Sequence, residues 1–104
     1  MFATIRRYEG VDPARTSEIA DKVNETLVPK LRELPGFHGY FLIEESNGVL
    51  SSLGLFETSE QADNSTIVAS QWITDKHLDK VIPNVPKITS GKVVAQSDRV
   101  LALA

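Results

Sequence analysis

A chain of 104 residues suffices for one core, so residues 1–104 are expected to form a single domain that buries about 65% of its unfolded surface. Apolar residues at 41% and charged residues at 24% mark a globular chain, and a net charge of −3 without a basic stripe argues against nucleic acid as a partner. There is no Cys, which excludes disulfides, thiolate metal sites, iron–sulfur clusters and thiol nucleophiles. No apolar run approaches the length of a membrane span, and the opening MFATIRRYEG lacks the apolar stretch of a signal peptide, so the expectation is a soluble, cytoplasmic domain with no membrane partner.

Phe2 to Glu9 alternates apolar and polar residues and predicts a first strand. Asp12 and Pro13 then suit the N-cap and first position of a helix. Ile19, Val23, Leu27, Leu31 and Leu34 follow on one helical stripe, with Pro29 placed to kink it and Leu34-Pro35-Gly36 to end it. Phe37 to Glu45 and Val49 to Glu57 read as strands joined by a hairpin at Asn47-Gly48. Thr58 and Gln61 match a capping box, so a second helix is expected from Ser59, with Ala62, Ala69, Trp72 and Ile73 inward and Pro83 stopping it near Val81 or Ile82. Pro83 to Pro86 links to a fourth strand expected at Gly91 to Gln96, and Val100 to Ala104 is an apolar tail expected to pair with a strand edge.

The order strand, helix, strand, strand, helix, strand is the ferredoxin-like βαββαβ arrangement, an α+β fold with two helices on one face of a four-stranded antiparallel sheet. Strand two offers Phe37, Phe41 and Ile43 on one side and Tyr40 and Leu42 on the other; strand three offers Val49, Leu53 and Leu55 against Leu50 and Phe56. A sheet apolar on both faces needs a second cover, and the simplest is another copy of itself: a homodimer is expected.

Leu34-Pro35-Gly36-Phe37-His38-Gly39-Tyr40 resembles the PGF-x-GY step between first helix and second strand of the antibiotic biosynthesis monooxygenase-like family. Pro29, Trp72 and Gly91-Lys92-Val93-Val94 are similar to further features of it, so that the resemblance covers roughly residues 2 to 96. It implies a dimeric α/β barrel in which two ferredoxin-like sheets face each other with helices outside. It also implies a choice of activities: cofactor-free oxygenases acting on polycyclic aromatics or quinols, haem-degrading enzymes, isomerases and proteins without known activity. The haem-degrading branch uses an Asn on the first strand with Trp and His on the second helix. Here the first strand carries Arg6 and Arg7 and no Asn, and Trp72 and His77 stand closer together than in that pattern.

Six residues are candidates for chemistry. His77, poised near neutral pH, suits a general base, or else a helix C-terminus where its charge meets the dipole. His38 and Tyr40 share a strand face by the period-two rule and can polarise a phenol or quinone oxygen, or pack at a dimer interface. Trp72 can stack on a flat ligand or fill the core. Arg6 can hold a carboxylate or enolate, or sit with Arg7 as an exposed pair facing Glu9 or Glu44, and Tyr8 shares its face. Two His residues with scattered carboxylates give no metal-ligand spacing, and no phosphate loop or nucleophile elbow occurs. The resemblance implies a cofactor-free monooxygenase acting on an aromatic or quinol-type small molecule, for which His77 or His38 would be the base and Tyr40 and Arg6 the oxyanion partners. The alternative is a non-catalytic ligand-binding or accessory protein of the same fold.

Overall fold

The computed structural model describes residues 1–97, apart from the side chain of Ser46. Strands β1 (Phe2–Tyr8), β2 (Phe37–Ser46), β3 (Val49–Phe56) and β4 (Lys87–Lys92) form one antiparallel sheet in the order β2-β3-β1-β4. Between β1 and β2 a short 3₁₀ turn, Pro13–Arg15, leads into a helical rod over residues 16–32, built from α1 (Thr16–Lys22), a π-helical turn (Val23–Leu27) and α2 (Val28–Arg32). Helix α3 (Ser59–Asp75) lies between β3 and β4. Both helical layers cover the same sheet face, which makes the fold ferredoxin-like α+β as the element order predicts. Among the described residues no helix is long and apolar enough to cross a membrane. The apolar tail at Val100 to Ala104 lies outside the described residues.

The core fills the gap between sheet and helices. Ile19, Val23, Leu27 and Leu31 project from the rod, Ala69 and Trp72 from α3, and Tyr8 and Leu50 from the sheet. Pro29 stands in the first turn of α2, directly after the π turn. A proline lacks its N–H and crowds the carbonyl four residues back. The chain relieves this by widening into the π turn, in which the Val28 N–H reaches the Val23 carbonyl.

Three boundaries move from their sequence expectations, each for a local reason. Helix α3 stops at Asp75, well before Val81, because His77 adopts a left-handed φ of 56°. The His77 N–H bonds the Thr74 carbonyl and the Leu78 N–H bonds the Ile73 carbonyl, a Schellman stop that buries Leu78. Strand β4 is Lys87–Lys92 and not Gly91 to Gln96, because its ladder partner β1 begins at Phe2, which pairs with Lys92. Past that point the Val93 N–H bonds the Met1 carbonyl. In β2 the register slips between Phe37 and Gly39, so His38 is a bulge residue. Phe37 therefore turns inward with Tyr40 and Leu42, meeting Phe56 edge-on at 5.7 Å between ring centroids, instead of facing out with Phe41 and Ile43.

The capping box forms as expected: Thr58 Oγ1 accepts from the Gln61 N–H, and Gln61 Oε1 accepts from the Thr58 N–H. On the uncovered sheet face Ile5, Phe41 and Ile43 are each at least 41% exposed beside Leu53 and Leu55.

Candidate functional site

Strand β1 is internal, flanked by β3 and β4, so alternate residues meet two different environments. Thr4, Arg6 and Tyr8 face the helices and are buried, while Ile5 and Arg7 face out. The expectation of an exposed Arg6–Arg7 pair is thus corrected. Arg7 alone is exposed, with Nε 3.3 Å from Glu9 and Nη1 2.9 Å from Glu45 rather than Glu44. The Arg7 hydrogen bond, with Lys87 nearby, holds the Glu9 carboxyl below its ordinary range.

Arg6 is only 1% exposed. Its Nη1 donates to Thr66 Oγ1 on α3 at 3.1 Å, and its Nε is buried without a hydrogen-bond partner. Among the described residues no carboxylate forms an ion pair with it. A guanidinium taken out of water without a counter-anion is costly. Around it stand the Tyr8 and Tyr40 phenols. Burial raises the pKa of both, and the nearby Arg6 charge offsets part of that rise. The Ser52 hydroxyl, also buried, adjoins Tyr40 without reaching hydrogen-bond geometry.

Two spaces meet at Arg6 and Tyr8. The larger, about 280 Å³, is an open cleft between α3, β1, β4 and the loop carrying Pro83, Asn84, Val85 and Pro86. Thr66, Ser70 and Thr74, one helical turn apart, line its α3 wall, while Ile73, Ile82 and Ile88 supply apolar surface. Asn84 Nδ2 donates to the Glu9 carbonyl and so anchors the loop. The smaller space, a chamber of about 20 Å³, is lined by Trp72, Tyr40, Leu42 and Leu50 as well as Arg6 and Tyr8. It admits one water-sized molecule and no ring.

Arg6, Tyr8, Tyr40 and Trp72 are therefore brought together around the chamber, and the two histidines are not. Trp72 is 3% exposed and its Nε1–H donates to Thr26 Oγ1 in the π turn at 2.7 Å. It is a core side chain that borders the chamber, not the cleft, so no ring can stack on it there. His38, displaced by the bulge, pairs with Glu57 at 3.3 Å and lies outside both spaces. His77 is exposed at the helix stop and lines neither. Sequence reasoning did not find Thr66, Ser70, Thr74 or Asn84. The first three carry a legible signal, hydroxyls at i, i+4 and i+8 on α3, whereas nothing local marks Asn84. Among the described residues no cluster of three or more His, Asp or Glu suits a metal ion, and no His, Asp or Glu lines the cleft.

No family model matches the chain, and no curated protein matches it either. Solved structures do. A protein of unknown function from Nitrosomonas europaea superposes with a TM-score of 0.71 at 15% identity over 92% of this chain and 91% of that one. A structure named an antibiotic biosynthesis monooxygenase gives 0.68 at 14% identity over 91% and 100%. A monooxygenase from Streptomyces coelicolor, in complex with the ligand nanaomycin D, gives 0.65 at 14% identity over 91% and 92%. At these identities the likeness establishes the fold: this chain has that of the antibiotic biosynthesis monooxygenases.

Proposed function

We propose that the protein is a cofactor-free monooxygenase that binds a phenol or quinol-type aromatic in the cleft and oxidises it with molecular oxygen. The observation that carries this reading is Arg6, a buried guanidinium with no carboxylate partner among the described residues, lining a cleft of about 280 Å³. Such a cation stabilises a phenolate or enolate where the ring oxygen would sit, and an ionised ring is the form that reacts with oxygen. One oxygen atom enters the ring, the other leaves as water, and the phenol becomes a quinone, so the substrate supplies the electrons. Ile73, Ile82 and Ile88 supply the apolar walls for the ring, and Thr66, Ser70 and Thr74 donors and acceptors along one edge.

That no imidazole or carboxylate among the described residues lines the cleft favours a second reading, a binding protein of the same fold that holds an anionic aromatic without turning it over. An oxygen electrode separates the two. With 1-naphthol the enzyme reading expects one oxygen consumed per naphthoquinone formed, with a loss of 100-fold or more in Arg6→Gln. Binding without oxygen uptake across a phenol and quinol panel supports the second reading alone.

We further propose a homodimer joined through the uncovered sheet face, where Ile5, Phe41 and Ile43 form an apolar stripe with Leu53 and Leu55. Light scattering of wild type and Phe41→Glu tests this; a monomeric wild type at micromolar concentration refutes it.

A further inference from the structure

The hydroxyls on the α3 wall of the cleft are not equivalent. Thr74 Oγ1 turns back to donate to the Ser70 carbonyl at 3.4 Å, as Thr26 Oγ1 does to the Lys22 carbonyl at 2.7 Å. That bond to the carbonyl four residues earlier is a common resting place for a helical threonine. For Thr66 the corresponding carbonyl is that of Ala62. It already accepts the helical Thr66 N–H and, at 2.6 Å, the Ser65 hydroxyl. Thr66 Oγ1 instead accepts from Arg6 Nη1 at 3.1 Å, and among the described residues it donates to no protein group.

We propose that the Thr66 hydroxyl is the group that donates to the ligand's oxygen in the cleft, and that Arg6 is a positioning residue acting through it. This rests on the reading of the cleft as a phenol site. Both residues line the cleft, but Arg6 is only 1% exposed whereas Thr66 is half-buried. A ligand there meets the threonine far more readily than the guanidinium. A hydroxyl carries one proton and two lone pairs. With one lone pair held by a cation, its proton is left to donate and becomes a stronger donor, because bonds in a chain polarise one another. Such a donor favours a ligand atom carrying negative charge, so the class selected is aromatics that present a phenolate or keto oxygen. An arylamine of the same shape, whose nitrogen bears protons and accepts weakly, is selected against. The bond from Arg6 also holds the Thr66 side chain in place before the ligand arrives. The buried cation thereby gives the cleft its preference for anions without touching the ligand.

The test compares 1-naphthol with 1-naphthylamine by fluorescence titration under nitrogen, so that neither is oxidised. The wild type should bind 1-naphthol at least tenfold more tightly, as a hydrogen bond to a charged group allows. Thr66→Val, isosteric but without the hydroxyl, should weaken 1-naphthol about tenfold and leave the Kd of 1-naphthylamine within twofold. Thr66→Ser should restore the preference, and Thr66→Ala serves in place of Thr66→Val should that variant not fold. Arg6→Met should cost 1-naphthol affinity less in the Thr66→Val background than in the wild type, because the two residues act in series. An equal cost in both backgrounds makes Arg6 a direct contact and overturns the proposal. So does a wild type without preference, an unchanged 1-naphthol Kd in Thr66→Val, or an equal weakening of both ligands there; the phenol site survives each of these. Failure of 1-naphthol to bind the wild type overturns the proposal together with the reading of the cleft beneath it.

Discussion

Replacing Arg6 by Met tests whether this guanidinium serves the fold or a ligand. Met is apolar and its methyl reaches the position of Arg6 Nε, so it fills the inner part of the space among Tyr8, Tyr40 and α3 without burying charge. The loss is the Thr66 bond, about 1.5–3 kcal/mol for a hydrogen bond to a charged group. Thr66 is half-buried, so water or its own backbone can take over part of that. The gains are removal of an orphaned buried donor, about 1–3 kcal/mol, and of an uncompensated charge with an effective penalty of several kcal/mol. Exchanges of buried charges for apolar groups range from neutral to about 1–4 kcal/mol stabilising, and a net gain of about 1–2 kcal/mol is expected here. The unfolding entropy of a chain this size is about 0.22 kcal/mol/K, so calorimetry should find Tm raised by about 5–9 °C. The same variant should bind 1-naphthol at least tenfold more weakly. A drop in Tm of more than about 3 °C would refute the reasoning, because Arg6 would then be part of what holds the sheet to α3.

Other substitutions probe the frame around the site. Gly36 has φ 74°, and a Cβ there would lie 1.8 Å from Gln61 Oε1. Gly36→Ala should therefore strain the turn and displace the capping-box amide, costing about 2–3 kcal/mol by urea unfolding. His77→Gly relieves a left-handed residue at the α3 stop and should stabilise by about 0.5–1 kcal/mol, leaving 1-naphthol binding unchanged. Tyr8 and Tyr40 are the two tyrosines of the chain, and both have raised pKa values in the fold. The folded state therefore holds these protons more tightly, so stability is intact below the ordinary tyrosine pKa of about 10 and falls as pH rises above it. Absorbance of ionised tyrosine should then appear together with unfolding; tyrosinate in a folded chain near pH 10 would contradict this.

The residues that determine local geometry are readable from the chain itself. Thr58 and Gln61 announce a helix start because their side chains close on the backbone within one turn. Asn47-Gly48 announces a hairpin because Gly48 readily takes its φ of 84°. The alternation of Thr4, Arg6 and Tyr8 against Ile5 and Arg7 likewise divides β1 into two faces by period alone. Which face is covered does not follow from period: it depends on β1 lying inside the sheet under α3, and that turns Arg6 from an apparent surface charge into the buried cation of the cleft. The site shows the same division. The hydroxyl row Thr66, Ser70 and Thr74 lies within one helix, but its meaning depends on Arg6 and Asn84, which are far away in sequence and meet it only across the fold. His38 and His77 attracted attention through the chemistry of imidazole, yet a bulge set one beside Glu57 and a Schellman stop turned the other to solvent. Bulges and stops are settled by pairing register and tertiary packing, so the cleft exists only once the sheet and both helical layers have closed around it.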